Sequence, residues 1–564
     1  MVLVHRTEAQ IVHVQTRPKI EQILQYYHSF KDPSQKIIAS DAHFGGKCGL
    51  GISAALHAHW NSLTTLQKFE IQEILQNAPS QKSRVIGRFR IIYDTSGSYE
   101  PALLDSTYQR IPNTAEAYVD SVGRIFNEVY QVEVVELGYE KPPFESPLDP
   151  HYRVLISDLS MYPGKNYGVT DWDPTILPLN PGSNAPRYPC FVNIQKDFSD
   201  FYTHGMNALK VTAAHEFHHV IQIGSYGLFD LNNYRYVHEL TSTWLEDVVY
   251  TDVNDYYNYL PDYFKQFSDG RSFNSNSYDG YERCIWAHFI AKQLDTNVMR
   301  KVWEGMRTRA DQASAEVFLE SSDAVLATMG TTFQTAFAEF TKWNYFTADR
   351  SDTVKYYSEG NHYPRFQPLQ KIDFYNTTST TNGNVQPLSS SMYEFDTSND
   401  TITAIIANVD IGNAMLKNTT QQKVDATLSS QSLSSPYQEF ANGLKAKITV
   451  DNLSLWHSFF VQSSTRTDVT RLQLNAAPNP FRLAEAPWLK LPINQDRATT
   501  AEVFFFTSSF RLVYSGSLSV ENKDGLRAIV VPTPEVKSKL SSGIYFIIAK
   551  TTNSDYKWKV AVIR

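Results

Sequence analysis

Read as a pattern of apolar and polar positions, the chain divides into four regions. Residues 1–84 end in helical spacing over Leu63–Leu75 and then in the turn-rich stretch NAPSQKSR, which predicts a boundary after an N-terminal, propeptide-like extension. At Val85 the spacing changes. VIGRFRIIYD alternates as a half-buried strand should, and helical spacing follows near Ala115–Val132. Helical patterns dominate from Val211 to Asn344, including Cys284–Leu294 and Val298–Met306, so residues 85–350 read as one α+β domain. After Ser351 the composition turns to Ser, Thr and Asn, with short β-type runs such as ITAIIANV and AKITV, which predicts a β-sandwich over 351–470. In the last region, 471–564, the runs EVFFF, RLVYSG, LRAIVV, GIYFIIAK and WKVAVIR are separated by turn residues, as in a small Ig-like all-β domain.

Composition supports this multidomain reading. A chain of 564 residues exceeds one core at roughly 150 residues per domain. With 42% hydrophobic and 20% charged residues it falls in the globular range. A net charge of -8 disfavours a protein that coats phosphate backbones, so no nucleic-acid partner is expected. No apolar run reaches the roughly 18 to 20 residues of a membrane-spanning helix, so no transmembrane segment is expected. The apolar N-terminal run breaks at His5 and Arg6, short of the ~7 to 15 residues of a secretory leader, so no signal peptide is read here. The three cysteines, Cys48, Cys190 and Cys284, lack CxxC or CxxH spacing and leave room for a single Cys48–Cys190 bridge.

The strongest chemical signal is VTAAHEFHHVIQ, which holds His215, Glu216 and His219 in HExxH order within an apolar helical context. Positions i and i+4 share a helix face, so both imidazoles can reach one cation, with Glu216 beside it as base. Chance alone produces HExxH in on the order of a few per hundred chains of this length, so a third ligand is required. Glu239 supplies one. It lies in YVHELTSTWLEDVVY, where Val237, Leu240, Trp244 and Val248 form an apolar stripe and Glu239, Thr243 and Glu246 an adjacent one. Two histidines and a glutamate with an open water position fit catalytic rather than structural zinc. The bland alternative, a buried polar cluster without metal, is disfavoured because unpaired buried polar groups are costly.

These residues resemble the gluzincin metallopeptidases, the thermolysin-like group, in which HExxH is followed by a glutamate ligand on a downstream helix. More narrowly, HEFHHVIQ, ELTSTWLED and YERCIWAHFIAKQLD followed by VWEG resemble a bacterial family of secreted metalloproteases related to that group. The resemblance covers about Gly87–Asn344. It implies one catalytic zinc ion bound by His215, His219 and Glu239, with Glu216 as general base and Tyr281 as the hydrogen-bond donor to the transition state. It also implies that PCFVNIQ, Pro189–Gln195, is the edge strand to which a peptide substrate adds. Thr243 departs from the pattern, since it stands where thermolysin has an acidic residue, and Glu246 or Asp247 is left to supply that role. Tyr281 is equally explained by core packing in a chain with 33 tyrosines. His218 is rotated off the ligand face and reads as a packed histidine, and His204 and His238 carry no assigned role. The acidic stretches DTSND and TDVNDYYNY lack a calcium-loop pattern and read as solvated turns.

At the other end, NAAPNPF (Asn475–Phe481), SGIYFIIAK and the final KWKVAVIR resemble the C-terminal sorting domain of the type nine secretion system of Bacteroidota. That resemblance implies the secretion machinery as a partner and a secreted or cell-surface location, with the missing leader attributed to a truncated N-terminus. The expectation is a zinc-dependent peptidase, acting as an endopeptidase on protein or peptide substrates. Its rival is a catalytically silent surface binding or adhesion protein that retains a zinc-peptidase fold.

Overall fold

The computed structural model describes Leu24 and residues 47–75, 81–97, 99–159, 166–268, 271–275, 280–312, 316–373, 378–397, 400–408, 422–430, 444–450, 457–463, 479–493, 498–507, 512–523, 526–551 and 555–564. Its chain separates into two units, residues 1–429 with 446–462 and residues 430–445 with 463–564. The first carries a five-stranded sheet in the order β1-β2-β3-β5-β4, formed by β1 (Lys82–Ile86), β2 (Phe89–Tyr93), β3 (Tyr152–Ser157), β4 (Gly168–Asp171) and β5 (Phe191–Gln195). β2, β3 and β5 are parallel, while β1 and β4 run antiparallel at the two edges.

Two expectations change here. The alternating run from Val85 is a hairpin rather than one strand, because Gly87 turns back at φ +59° and Ile86 pairs with Phe89. Asn127 pins that turn: its Nδ2 donates to Ile86 O at 2.9 Å and its Oδ1 accepts from Arg88 N at 3.1 Å. The segment PCFVNIQ is not an edge, since β5 lies between β3 and β4; the edge is β4, GVTD. Four buried residues ending in an aspartate give too short a run to stand out in a hydrophobicity pattern.

The longer helices of the described residues are α1 (Leu50–His59), α2 (Thr65–Leu75), α3 (Ala115–Tyr130), α4 (Gly205–Ile221), α5 (Leu231–Val249), α6 (Leu260–Ser268), α7 (Cys284–Gln293), α8 (Val298–Arg309), α9 (Val317–Thr328) and α10 (Phe333–Tyr345). α3 is amphipathic and buries Tyr118, Val119, Val122, Ile125, Phe126 and Val129 at helical spacing. α4 and α5 differ in kind: every residue of Val211–Ile221 and of Tyr236–Glu246 is buried. Helices buried all round form the middle of a core, and these two pack side by side within one continuous hydrophobic cluster that also contains Cys48 and Leu50. Asp230 starts α5 by accepting the Asn232 N–H at 3.1 Å.

Beyond the helices lie a sheet in the order β11-β10-β7 and another in the order β12-β9-β8-β6. Their strands are β6 (Gln370–Asp373), β7 (Thr378–Val385), β8 (Ser389–Thr397), β9 (Asp400–Asn408), β10 (Gln422–Ser430), β11 (Leu444–Val450) and β12 (His457–Ser463). The second unit is one seven-stranded sheet in the order β13-β19-β18-β15-β16-β17-β14. It comprises β13 (Phe481–Arg482), β14 (Trp488–Pro492), β15 (Thr500–Thr507), β16 (Leu512–Lys523), β17 (Leu526–Pro532), β18 (Gly543–Lys550) and β19 (Asp555–Ile563). β16 is long enough to pair with β15 along its first part and β17 along its last, and the alternating residues Val503, Phe505, Ile547, Ala549 and Val560 fill a core of its own. All five predicted runs fall on strands, with Arg511 of RLVYSG outside the described residues. Residues 475–478 of NAAPNPF and 398–399 of DTSND lie outside the described residues. Among the described residues no helix is long and apolar enough to cross a membrane.

Gly87 is the residue on which the first hairpin depends, because an added Cβ would meet Asn127 Oδ1 at 2.3 Å and the backbone is left-handed. Gly87→Ala should therefore destabilise the protein by about 1 to 3 kcal/mol, read as a lower midpoint in urea at unchanged slope.

Candidate metal centre

Because Val211–Ile221 of α4 and Tyr236–Glu246 of α5 are buried on all sides, their ionisable groups have to find partners inside the protein. They find one another. His215 Nε2 lies 3.1 Å from Glu239 Oε2 and 3.1 Å from His219 Nε2, and His219 Nε2 lies 3.4 Å from the same carboxylate oxygen. The outer ring nitrogens are both occupied. His215 Nδ1 donates to Glu246 Oε1 at 2.7 Å, and His219 Nδ1 to Gln222 Oε1 at 2.7 Å. The orientation of the Gln222 amide follows from its Nε2, which donates to the His238 carbonyl at 3.0 Å, so its oxygen must face the imidazoles. With a proton on each Nδ1, a neutral pair turns two bare Nε2 lone pairs toward each other at 3.1 Å, a repulsive contact unless a cation lies between them.

Zinc fits that gap. A tetrahedral ion with Zn–N and Zn–O bonds near 2.0–2.1 Å separates its ligand atoms by about 3.3 to 3.4 Å, close to the three separations found here. Without a metal, the same position attracts a proton. Burial alone would lower the His215 pKa, but the carboxylates of Glu239 and Glu246 overcome it and raise the value to about 9. Burial likewise opposes the charge on Glu239, yet His219 and His215 hold its carboxyl well below the usual range. Among the described residues this is the one group able to hold a metal ion, and it has a fourth member, Cys48. The Cys48 sulfur lies within 4.8 Å of the other three donor atoms.

Glu216 sits on the same helix beside this set. Its Oε2 accepts from Thr170 Oγ1 at 2.7 Å, and its own carbonyl accepts from the same hydroxyl at 2.9 Å, which ties the general-base candidate to β4. The strand comes so close that a Cβ at Gly168 would lie 2.5 Å from Glu216 Cγ. Tyr281 is also at the centre. Its ring lies 5.8 Å from that of His215, and its Oη accepts the Cys48 N–H at 3.0 Å.

The structure thus brings together every residue singled out from the sequence: His215, Glu216, His219, Glu239 and Tyr281. Of the two acidic candidates left by Thr243, it is Glu246 that meets His215. Asp247 points elsewhere, 3.8 Å from His288 Nδ1. His218 faces away from the donors, with Nδ1 3.1 Å from Glu133 and its ring packed edge-on against Tyr139. His238 bonds Gln222 through Nδ1 at 3.0 Å, and His204 bonds the Ser199 carbonyl at 3.1 Å. Cys48 and Cys190 are both free, so the bridge is not formed. From TDVNDYYNY, Asp255 is a buried ion-pair partner of Lys47 and not a solvated turn residue. Sequence reasoning missed Cys48, Lys47, Thr170 and Gln222. Only Cys48 carried a signal, as one of three cysteines in the chain.

No protein-family model matches the chain, and no curated protein is similar to it in sequence.

Gln222→Leu removes the acceptor that fixes the His219 ring, and zinc affinity should fall by about 10 to 100-fold in competition with a chromophoric chelator. A second outcome concerns pH. Burial first, then Glu359 and Glu246, push the Asp247 carboxyl up to about 8. In the unfolded chain the same group titrates near ~3.9, so between those values the folded state keeps a proton that the unfolded state loses. Through this group stability falls as pH rises across that window and is constant above it. The thermal midpoint of zinc-loaded Asp247→Asn should therefore vary less than the parent's from pH 4 to pH 8 (roughly the two pKa values).

Proposed function

We propose that the chain is a zinc-dependent endopeptidase that hydrolyses peptide bonds in protein or peptide substrates. The observation that carries this reading is the convergence of the His215 and His219 Nε2 atoms and the Glu239 carboxylate beside Glu216, which is itself bonded to the edge strand β4. Bound in this set, zinc would supply Lewis acidity to the scissile carbonyl and lower the pKa of a coordinated water toward ~7. The protein does the rest. An extended peptide can add to β4 through backbone hydrogen bonds, on the side away from β5, once residues 47–49 that pair there have left it, which brings its carbonyl carbon over Glu216. Thr170 holds the Glu216 carboxylate in place, so that it can take a proton from the attacking water and pass it to the leaving amine. The Tyr281 hydroxyl accepts the Cys48 N–H through its oxygen and keeps its own proton to donate to the oxyanion. Glu246 and Gln222 keep both imidazoles in the tautomer that leaves Nε2 free for metal.

The finer architecture belongs to the same proposal: a gluzincin-like catalytic domain, a β-sandwich, and an Ig-like sorting domain for export to the cell surface or medium by the type nine route. One observation favours the rival, a catalytically silent binding protein. Cys48 makes the donor set four-membered, and a closed site is the mark of structural zinc.

The deciding comparison is full-length Lys47→Ala/Cys48→Ser, which reopens the fourth position and releases the segment paired with β4, with and without Glu216→Gln. Both should bind one zinc, and the added Glu216→Gln should slow cleavage of an unfolded protein by about 10² to 10⁴-fold. Equal cleavage by the two would remove Glu216 from the mechanism, and no cleavage by either, with zinc bound, would favour the binding protein.

A further inference from the structure

Residues Lys47, Cys48 and Gly49 lie along the free edge of β4. Tyr167 N donates to Lys47 O at 2.8 Å, Gly49 N donates to Gly168 O at 3.0 Å, and Cys48 bridges Gly168 in parallel register. Three residues of the chain itself therefore take the place of an added strand. Each end of this short strand is held by chemistry rather than by shape. The Cys48 sulfur accepts the Leu50 N–H at 3.3 Å, at the N-terminus of α1; burial and the Glu216 and Glu239 carboxylates push the thiol up, so it is a metal ion in the donor set that would draw it into the thiolate form.

The Lys47 side chain enters a slot next to the metal donors and is only 2% exposed. Its ammonium donates to Glu246 and, at 2.6 Å, to Asp255 Oδ2, and it lies 5.1 Å from the ring centre of Tyr167 and 5.8 Å from that of Tyr259. Asp255 is oriented for this task, with Oδ1 accepting from Thr203 and Tyr167. Glu246 is shared, since its other oxygen accepts from His215. If residues 47–49 leave, two buried carboxylates lose their cation, which a protein tolerates poorly unless another cation replaces it. A narrow aromatic slot ending in a carboxylate pair suits the slender stem and point charge of lysine better than a planar guanidinium.

We propose, building on the peptidase reading above, that this slot is a lysine-recognising subsite and that residues 47–49 occupy it as an internal substrate mimic whose thiol closes the metal set. Occupancy and specificity are tested separately in the full-length protein. With cobalt in place of zinc, the parent shows a thiolate-to-cobalt absorption band that Cys48→Ser lacks, and acetic-anhydride labelling leaves Lys47 unmodified while exposed Lys371 reacts. A parent without the band, or with Lys47 labelled as fast as Lys371, overturns the mimic.

Lys47→Ala empties the slot, and n-butylammonium should raise its thermal midpoint where n-butanol does not. An equal effect of the two overturns a cation-selective slot, and should the variant not fold alone, refolding in the presence of the amine but not the alcohol is the same readout. Lys47→Ala/Cys48→Ser should then cut peptides with lysine enriched at one fixed position from the bond. Adding Asp255→Asn should reduce that preference by about tenfold or more. Cleavage with no lysine preference overturns the subsite, whereas butylammonium binding without cleavage retains the lysine slot and overturns the peptidase reading.

Discussion

The burial of the central stretches of two helices against each other is the constraint on which this molecule is organised. Val211–Ile221 and Tyr236–Glu246 have no face to water, yet they carry His215, Glu216, His219, Glu239 and Glu246. Ionised groups taken out of water must be paired, and pairing them in so small a space creates a site in which two imidazole nitrogens and a carboxylate oxygen point at one position. The outer partners, Glu246 and Gln222, then hold each ring by its Nδ1, so both Nε2 atoms turn to that position. Fold stability and metal chemistry are in this way two consequences of one packing decision.

That decision extends outward to the N-terminal segment. Glu246 cannot serve His215 alone without leaving a second buried oxygen, and Lys47 satisfies it together with Asp255. The same three-residue strand brings Cys48 to the metal donors and hydrogen-bonds the edge of β4. What reads in the sequence as an extension is, from Lys47 onward, a continuation of the site.

How much of this was legible follows from how local each signal is. HExxH and the helical stripe around Glu239 are short-range patterns, and the residues they named all converge. The strands of the second unit were likewise readable, because each is an apolar run closed by turn residues. The hairpin at Gly87 was not, since Gly87 and Arg88 interrupt the alternation without breaking its period. β4 was missed because it has four residues, and PCFVNIQ took its place as the expected edge because it is more apolar. Lys47 and Cys48 could not be placed at all. Apart from Leu50, their partners lie more than a hundred residues away, from Tyr167 to Tyr281, and no spacing rule links them.

The claim on which everything turns is that this buried set holds zinc through named donors. X-ray absorption at the zinc edge of the full-length, zinc-loaded protein measures it directly. The account predicts a four-coordinate ion with nitrogen and oxygen at about 2.0 to 2.1 Å and one sulfur at about 2.3 Å. An oxygen-rich, six-coordinate shell, or a protein that retains no zinc on dialysis, would contradict it.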